Sequence, residues 1–105
     1  MIRVDEKWQQ AIQNCGYLFL PIVNPQNGEL FGVEALLRGF EKSGFASIDD
    51  LFDEAYRDGV LYDIDLELRK LVFVKFTELC RQLAKDESEA AAASLKLFYN
   101  LDTRI

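Results

Sequence analysis

The chain has no histidine and only two cysteines, Cys15 and Cys80, in 105 residues. Without imidazole a Cys/His zinc site is excluded, and two thiols with no ligand-spaced neighbours read as reduced and buried. No apolar run is long enough to span a bilayer, and the opening Met1-Ile2-Arg3-Val4-Asp5-Glu6 lacks a signal-peptide core. The cytoplasm is therefore the expected location. Positive charge is scarce: Lys and Arg total 12 against 18 Asp and Glu, a formal net charge of −6. Such a chain has no basic stripe with which to hold a nucleic-acid backbone. A nucleotide ligand remains compatible, because a bound cation reverses the local sign of a site. Internal repeats are absent, and the one low-complexity stretch is residues 86–94, DESEAAAAS, able to prolong a helix or to connect two elements. What is present is ordinary for a soluble fold, with 50% hydrophobic and 29% charged residues. The length bounds the chain at one small domain or part of one.

Residues 17–38, YLFLPIVNPQNGELFGVEALLR, read as two strands joined by a tight turn at Asn24-Pro25-Gln26-Asn27-Gly28. Pro25 presets φ, and Gly28 can take the left-handed conformation that closes a hairpin with a bulge. Alternation puts Gly32, Glu34, Leu36 and Arg38 on one face of the second strand and Val33, Ala35 and Leu37 on the other. The second face is apolar and suits packing under helices. The first carries a carboxylate in a run otherwise fit for burial, where an ionised Glu needs a positive partner. A Glu34–Arg38 pair and a bound cation answer that need equally well.

Around this hairpin the spacing predicts a short helix over residues 4–14, with Trp8 as a packing anchor, ended by Cys15-Gly16. A loop follows over residues 39–45. Ser47 then caps a helix over residues 47–58, with Asp49 and Asp50 at its positive end, and Gly59 stops it. Val60-Leu61-Tyr62 link to a longer helix over residues 63–85, whose Ile64, Leu68, Leu71, Val72, Phe76, Leu79, Cys80 and Leu83 recur at helical steps. Asp63 and Asp65 read as charges at its start. Residues 95–102 alternate as a strand, with Leu95, Leu97, Tyr99 and Leu101 on one face and Lys96, Phe98, Asn100 and Asp102 on the other.

Pro21-Ile22-Val23, the Gly28 turn, Gly32-Val33-Glu34-Ala35-Leu36-Leu37-Arg38 and the later Phe98-Tyr99-Asn100-Leu101 together resemble the opening part of the EAL domain family. That family hydrolyses the bacterial second messenger cyclic di-GMP to linear pGpG. The resemblance implies an α/β architecture, a partial (β/α) barrel of EAL type. Residues 1–16 would be a helical lead-in and residues 17–105 the N-terminal part of the domain. It further implies that Glu34 and Asn100 are ligands of Mg²⁺ or Mn²⁺, that Arg38 contacts a phosphate, and that Leu36 and Leu20 fall at substrate-contacting positions. Glu and Asn oxygens suit such hard cations. Leu20 departs from the family, which usually has Gln immediately before the Pro of the first strand.

A (β/α) barrel needs about 250 residues, and the family's remaining acidic ligands and its Lys fall beyond Ile105. The isolated chain is therefore expected to bind cations weakly and not to turn over substrate. The alternative is a non-catalytic EAL-like module that binds a nucleotide or protein partner; an unrelated α/β interaction domain ranks below both. An open strand edge further predicts self-association as a two-fold dimer through residues 96–105 or 17–23. The competing outcome is a monomer whose Trp8 helix folds over that edge.

Overall fold

The computed structural model describes residues 5–100. In chain order they form α1 (Glu6–Asn14), β1 (Gly16–Val23), β2 (Leu30–Arg38), a 3₁₀ turn (Phe40–Ser43), α2 (Ile48–Arg57), α3 (Leu61–Asp86), α4 (Glu89–Ser94) and β3 (Lys96–Tyr99). The architecture is mixed α/β, with one three-stranded sheet in the order β1-β2-β3. The chain gathers into two compact units, one from residues 5–16 and 37–71, the other from 17–36 and 72–100. Both β2 and α3 run from one unit into the other.

The first unit is built on Trp8. Asp5 caps α1 by accepting the Trp8 backbone N–H at 3.1 Å. One turn of helix then carries the indole inward, where it is 1% exposed. Its ring stacks on Phe45 with centroids 5.7 Å apart, and its Nε1–H donates to Asp58 at 2.9 Å. Leu51 and Ala55 of α2 and Leu61, Ile64 and Leu68 of α3 are also buried. Ser47 caps α2 as its sequence predicts, accepting the Asp50 N–H at 3.1 Å. Gly59, with φ of 75°, closes its far end, and the Val60 N–H returns to the Ala55 carbonyl at 2.9 Å.

Several details differ from the sequence reading. Leu61 and Tyr62 are helical rather than a link, because the Val60 carbonyl already accepts the Ile64 N–H at 2.9 Å. Asp65 is not an end charge: it is 3% exposed and pairs with Arg69 one turn on at 2.6 Å. With the helix starting at Leu61, position 65 has turned inward, and a buried carboxylate needs that guanidinium. The loop after β2 contains a 3₁₀ turn, and Ser88 caps α4, accepting the Ala91 N–H at 2.9 Å. Cys15 and Cys80 are free and half-buried rather than fully buried. Leu101 and Asp102, assigned to the last strand by their alternation, lie outside the described residues.

Burial pushes the Cys15 thiol up to about 11, with the Glu41 carboxylate a smaller cause, so at neutral pH it is a protonated, poor nucleophile. Asp58 moves the other way. The Trp8 indole N–H first, and Lys7 second, hold its carboxyl below the ordinary 3.8. A carboxylate depressed on folding adds stability that is complete above 3.8 and lost as pH falls through the lower folded value. Urea midpoints should therefore fall as pH drops below 3.8, and Asp58→Asn should flatten the fall.

The second unit holds the sheet. The hairpin closes as its sequence predicts: the Gly28 N–H donates to the Asn24 carbonyl and the Asn24 N–H to the Glu29 carbonyl, each at 2.8 Å, and Gly28 has φ of 72°. β2 and β3 are parallel, pairing Gly32 with Lys96, Val33 with Leu97, Glu34 with Phe98 and Ala35 with Tyr99. Parallel neighbours need a long crossover, here the helical stretch between β2 and β3. Val33 and Ala35 are buried. Phe19 meets Phe76 of α3, and Tyr17 meets Tyr99, with ring centroids 6.3 and 6.2 Å apart.

Gly32 sets the closeness of β2 to β3. A Cβ there would lie 2.6 Å from the Lys96 carbonyl oxygen and 3.0 Å from the Phe98 ring. Gly32→Ala should cost about 1–3 kcal/mol by overpacking. A urea midpoint no lower than that of the wild type would show that the strands can part without penalty.

Candidate functional site

The parallel register decides what Glu34 and Asn100 can do. Glu34 is level with Phe98, so Asn100, two residues further on, follows β3 just beyond its last residue, Tyr99. Alternation keeps Phe98 and Asn100 on the same side of the strand as Glu34. The Asn100 amide Nδ2 donates to Glu34 Oε2 at 3.5 Å, the outer limit of a hydrogen bond. Two oxygen-bearing side chains thus meet near the carboxyl end of the β2–β3 parallel pairing, with Glu34 within β2 and Asn100 just past β3. Turning the Asn100 amide over would set its oxygen, rather than its nitrogen, toward Glu34. In that rotamer the pair offers two hard donors to one point.

These donors match Mg²⁺ or Mn²⁺ in kind and fall short in number. Hard cations of this size take about six oxygens. Among the described residues, no group of three or more His, Cys, Asp or Glu stands close enough to hold a metal ion. The fit is that of part of a cation site.

Of the other residues singled out in the sequence, Leu36 lies half-buried on the Glu34 side of β2. Leu20 is exposed on β1, and its alkyl side chain supplies no hydrogen bond. Arg38 ends β2, exposed, in the first unit. Its Nη1 donates to the neighbouring Leu37 carbonyl at 2.8 Å, which leaves the rest of the guanidinium's five donors for other partners. The structure therefore brings Glu34 and Asn100 together and leaves Arg38 turned onto its own backbone.

One feature of the second unit escaped the sequence reading. Phe31 and Phe98 approach with ring centroids 6.0 Å apart, and Lys96 Nζ stands 5.8 Å over the Phe31 ring. The shared face of Lys96 and Phe98 was visible in the alternation; the approach of Phe31 to both was not. A separate apolar cleft of about 400 Å³ lies at the hairpin turn, lined by Ile22, Val23, Asn24, Pro25, Gln26 and Phe31. Neither Glu34 nor Asn100 reaches into that lining. Among the described residues, no helix is long and apolar enough to cross a membrane. No family model, no curated protein and no solved structure matches this chain.

Proposed function

We propose that this chain is the N-terminal part of an EAL-type phosphodiesterase domain, a partial (β/α) barrel from the bacterial cytoplasm whose complete form hydrolyses cyclic di-GMP to linear pGpG. The observation that carries this reading is the meeting of Glu34 and Asn100 near the carboxyl end of the parallel pairing of β2 with β3. Barrel enzymes keep their chemistry at that end of their strands.

Glu34 and Asn100 would hold Mg²⁺ or Mn²⁺, which when bound supplies an activated water and offsets phosphoryl charge. Arg38 would leave the Leu37 carbonyl and turn its fork of donors to a phosphate oxygen. Leu36, beside Glu34 on β2, would give the sugar or base an apolar contact. Two protein oxygens leave most of a cation's coordination to water, so this chain alone binds Mn²⁺ weakly and does not turn over substrate.

Calorimetry with Mn²⁺ tests the ligand assignment. The expected result is a weak isotherm that Glu34→Ala abolishes. Tight binding that survives Glu34→Ala would remove Glu34 from the site, and hydrolysis of cyclic di-GMP by the purified chain would show that no further ligands are needed.

Leu20 favours a second reading, a non-catalytic EAL-like module that signals by binding. An exposed leucine, where an amide would grip substrate, suits an apolar contact better than a nucleotide. Leu20→Gln separates the two: it should strengthen cyclic di-GMP binding in the enzyme-derived reading and leave it unchanged in the other.

A further inference from the structure

The end of β2 that carries Arg38 is seated on the end of α1. Gly39 directly follows Arg38, is buried and has φ of 89°. A Cβ on Gly39 would run into the Asn14 carbonyl oxygen and lie 3.2 Å from Cys15 Cα. Backbone therefore rests on backbone one peptide bond beyond Arg38.

Two side-chain contacts hold the rest of the same turn. Asn14 Nδ2 donates to the Ser43 hydroxyl at 2.9 Å, and Phe45 stacks on Trp8, nearer the start of α1. Between these points the turn closes on itself. The Lys42 N–H donates to the Gly39 carbonyl at 3.2 Å and the Gly44 N–H to the Glu41 carbonyl at 3.0 Å. Residues 39–45 are thus fixed to α1 at their start, middle and end. All of them, and Arg38 itself, belong to the first unit.

Arg38 has little of its own to hold it. Its side chain is exposed, and its Nη1 reaches back to the Leu37 carbonyl. Which rotamers a side chain can take follows from its backbone φ and ψ. That backbone is set on one side by β2 and on the other by Gly39. Arginine carries about 2 kcal/mol of rotamer entropy, so an unbraced backbone would spread its donors over many directions.

We propose that Asn14 is a positioning residue for Arg38. Its amide clamps Ser43, the clamped turn holds Gly39 against α1, and Gly39 fixes the backbone from which the guanidinium projects. That the guanidinium so placed meets a phosphate oxygen rests on the phosphodiesterase reading; the clamp does not.

NMR of the Arg38 Nε–H group, assigned with Arg38→Lys, reads the placement in the ligand-free chain. Asn14→Ala and Ser43→Ala should shift that resonance in the same direction. The double variant should add nothing to either, because one bond is lost in all three. Ser43→Thr keeps the hydroxyl and should leave the resonance in place. Lys7→Ala, which removes the ion pairs at the other end of α1, is the control for general loosening and should not move it. A resonance indifferent to Asn14→Ala overturns the proposal, and so does an equal shift in Lys7→Ala. Cyclic di-GMP with Mg²⁺ forms the second arm. It should move the wild-type resonance, and Asn14→Ala should raise the midpoint of that titration roughly threefold or more. A resonance that answers to Asn14→Ala but never to cyclic di-GMP supports the clamp and overturns the phosphate role of Arg38 instead.

Discussion

Trp8→Ala should lower the unfolding free energy by about 3–5 kcal/mol, the usual cost of emptying a buried aromatic site. The indole is 1% exposed, so no water replaces it without opening a cavity. Three separate contacts go with it: the stack on Phe45, the hydrogen bond to Asp58 and the cation–π contact of Lys7, whose Nζ stands 4.9 Å from the ring centroid. Only the first two are expected to count, because Lys7 is largely solvated. Trp8→Phe should separate them. It keeps a ring against Phe45 and loses the N–H, so it should cost less than Trp8→Ala, and the Asp58 carboxyl should rise toward its ordinary value. Urea melts of both variants, with the Asp58 titration followed by NMR, check the pair of expectations. Equal losses for Ala and Phe would make the hydrogen bond, and not the buried ring, the main contribution.

The second large effect is expected at Gly39, which directly follows β2. Its φ of 89° lies in the left-handed region, costing an L residue about 1–2 kcal/mol. An added Cβ would also run into the backbone carbonyl of Asn14 and lie 3.2 Å from Cys15 Cα. Backbone cannot swing aside as a side chain can, so overpacking adds about 1–3 kcal/mol more. The sum for Gly39→Ala is about 2–5 kcal/mol. Gly44 serves as the control. Its φ is 90°, yet a Cβ there meets nothing within 4 Å, so Gly44→Ala should show the conformational cost alone. Urea midpoints of the two variants measure the difference. If they coincide, the close passage of α1 against the turn is not what requires glycine.

Periodicity and capping carried most of the secondary structure. β2, α2 and the hairpin turn lie within a residue or so of where alternation, Ser47 and Gly28 put them. The start of α3 did not, because Val60-Leu61-Tyr62 carry no Ser, Thr, Asp or Asn to signal a cap. Val60 opens that helix with its carbonyl, which every residue has. Asp65 was misread for the same reason, since shifting the start by two residues moves a first-turn acid into the core. Its partner Arg69 was present at the i+4 spacing and was the available signal. α4 turned on a single hydroxyl, Ser88, within a stretch whose alanines permit either state.

That Glu34 and Asn100 come close was legible from strand alternation and the order strand, helices, strand, whereas their role as ligands rests on the family resemblance. The direction of Arg38 was not legible. A long side chain with five donors takes whichever acceptor the fold brings near, and here that acceptor is the adjacent Leu37 carbonyl. The gap at Gly32 was equally hidden, since a glycine in a strand does not announce which neighbouring carbonyl needs the room.

Neither compact unit is a continuous stretch of chain, and this bears on how the protein is made. On the ribosome the β1–β2 hairpin emerges early, but the second half of α3 and β3, which complete its unit, follow only after residues 37–71. Those intervening residues meet α1, already synthesised, and can close around Trp8 while the hairpin still waits. Among the described residues, the unit around Trp8 is thus complete in sequence by Leu71, before β3 exists to pair with β2. During that interval the β2 edge that later takes β3 is unpaired, a ready template for other strands.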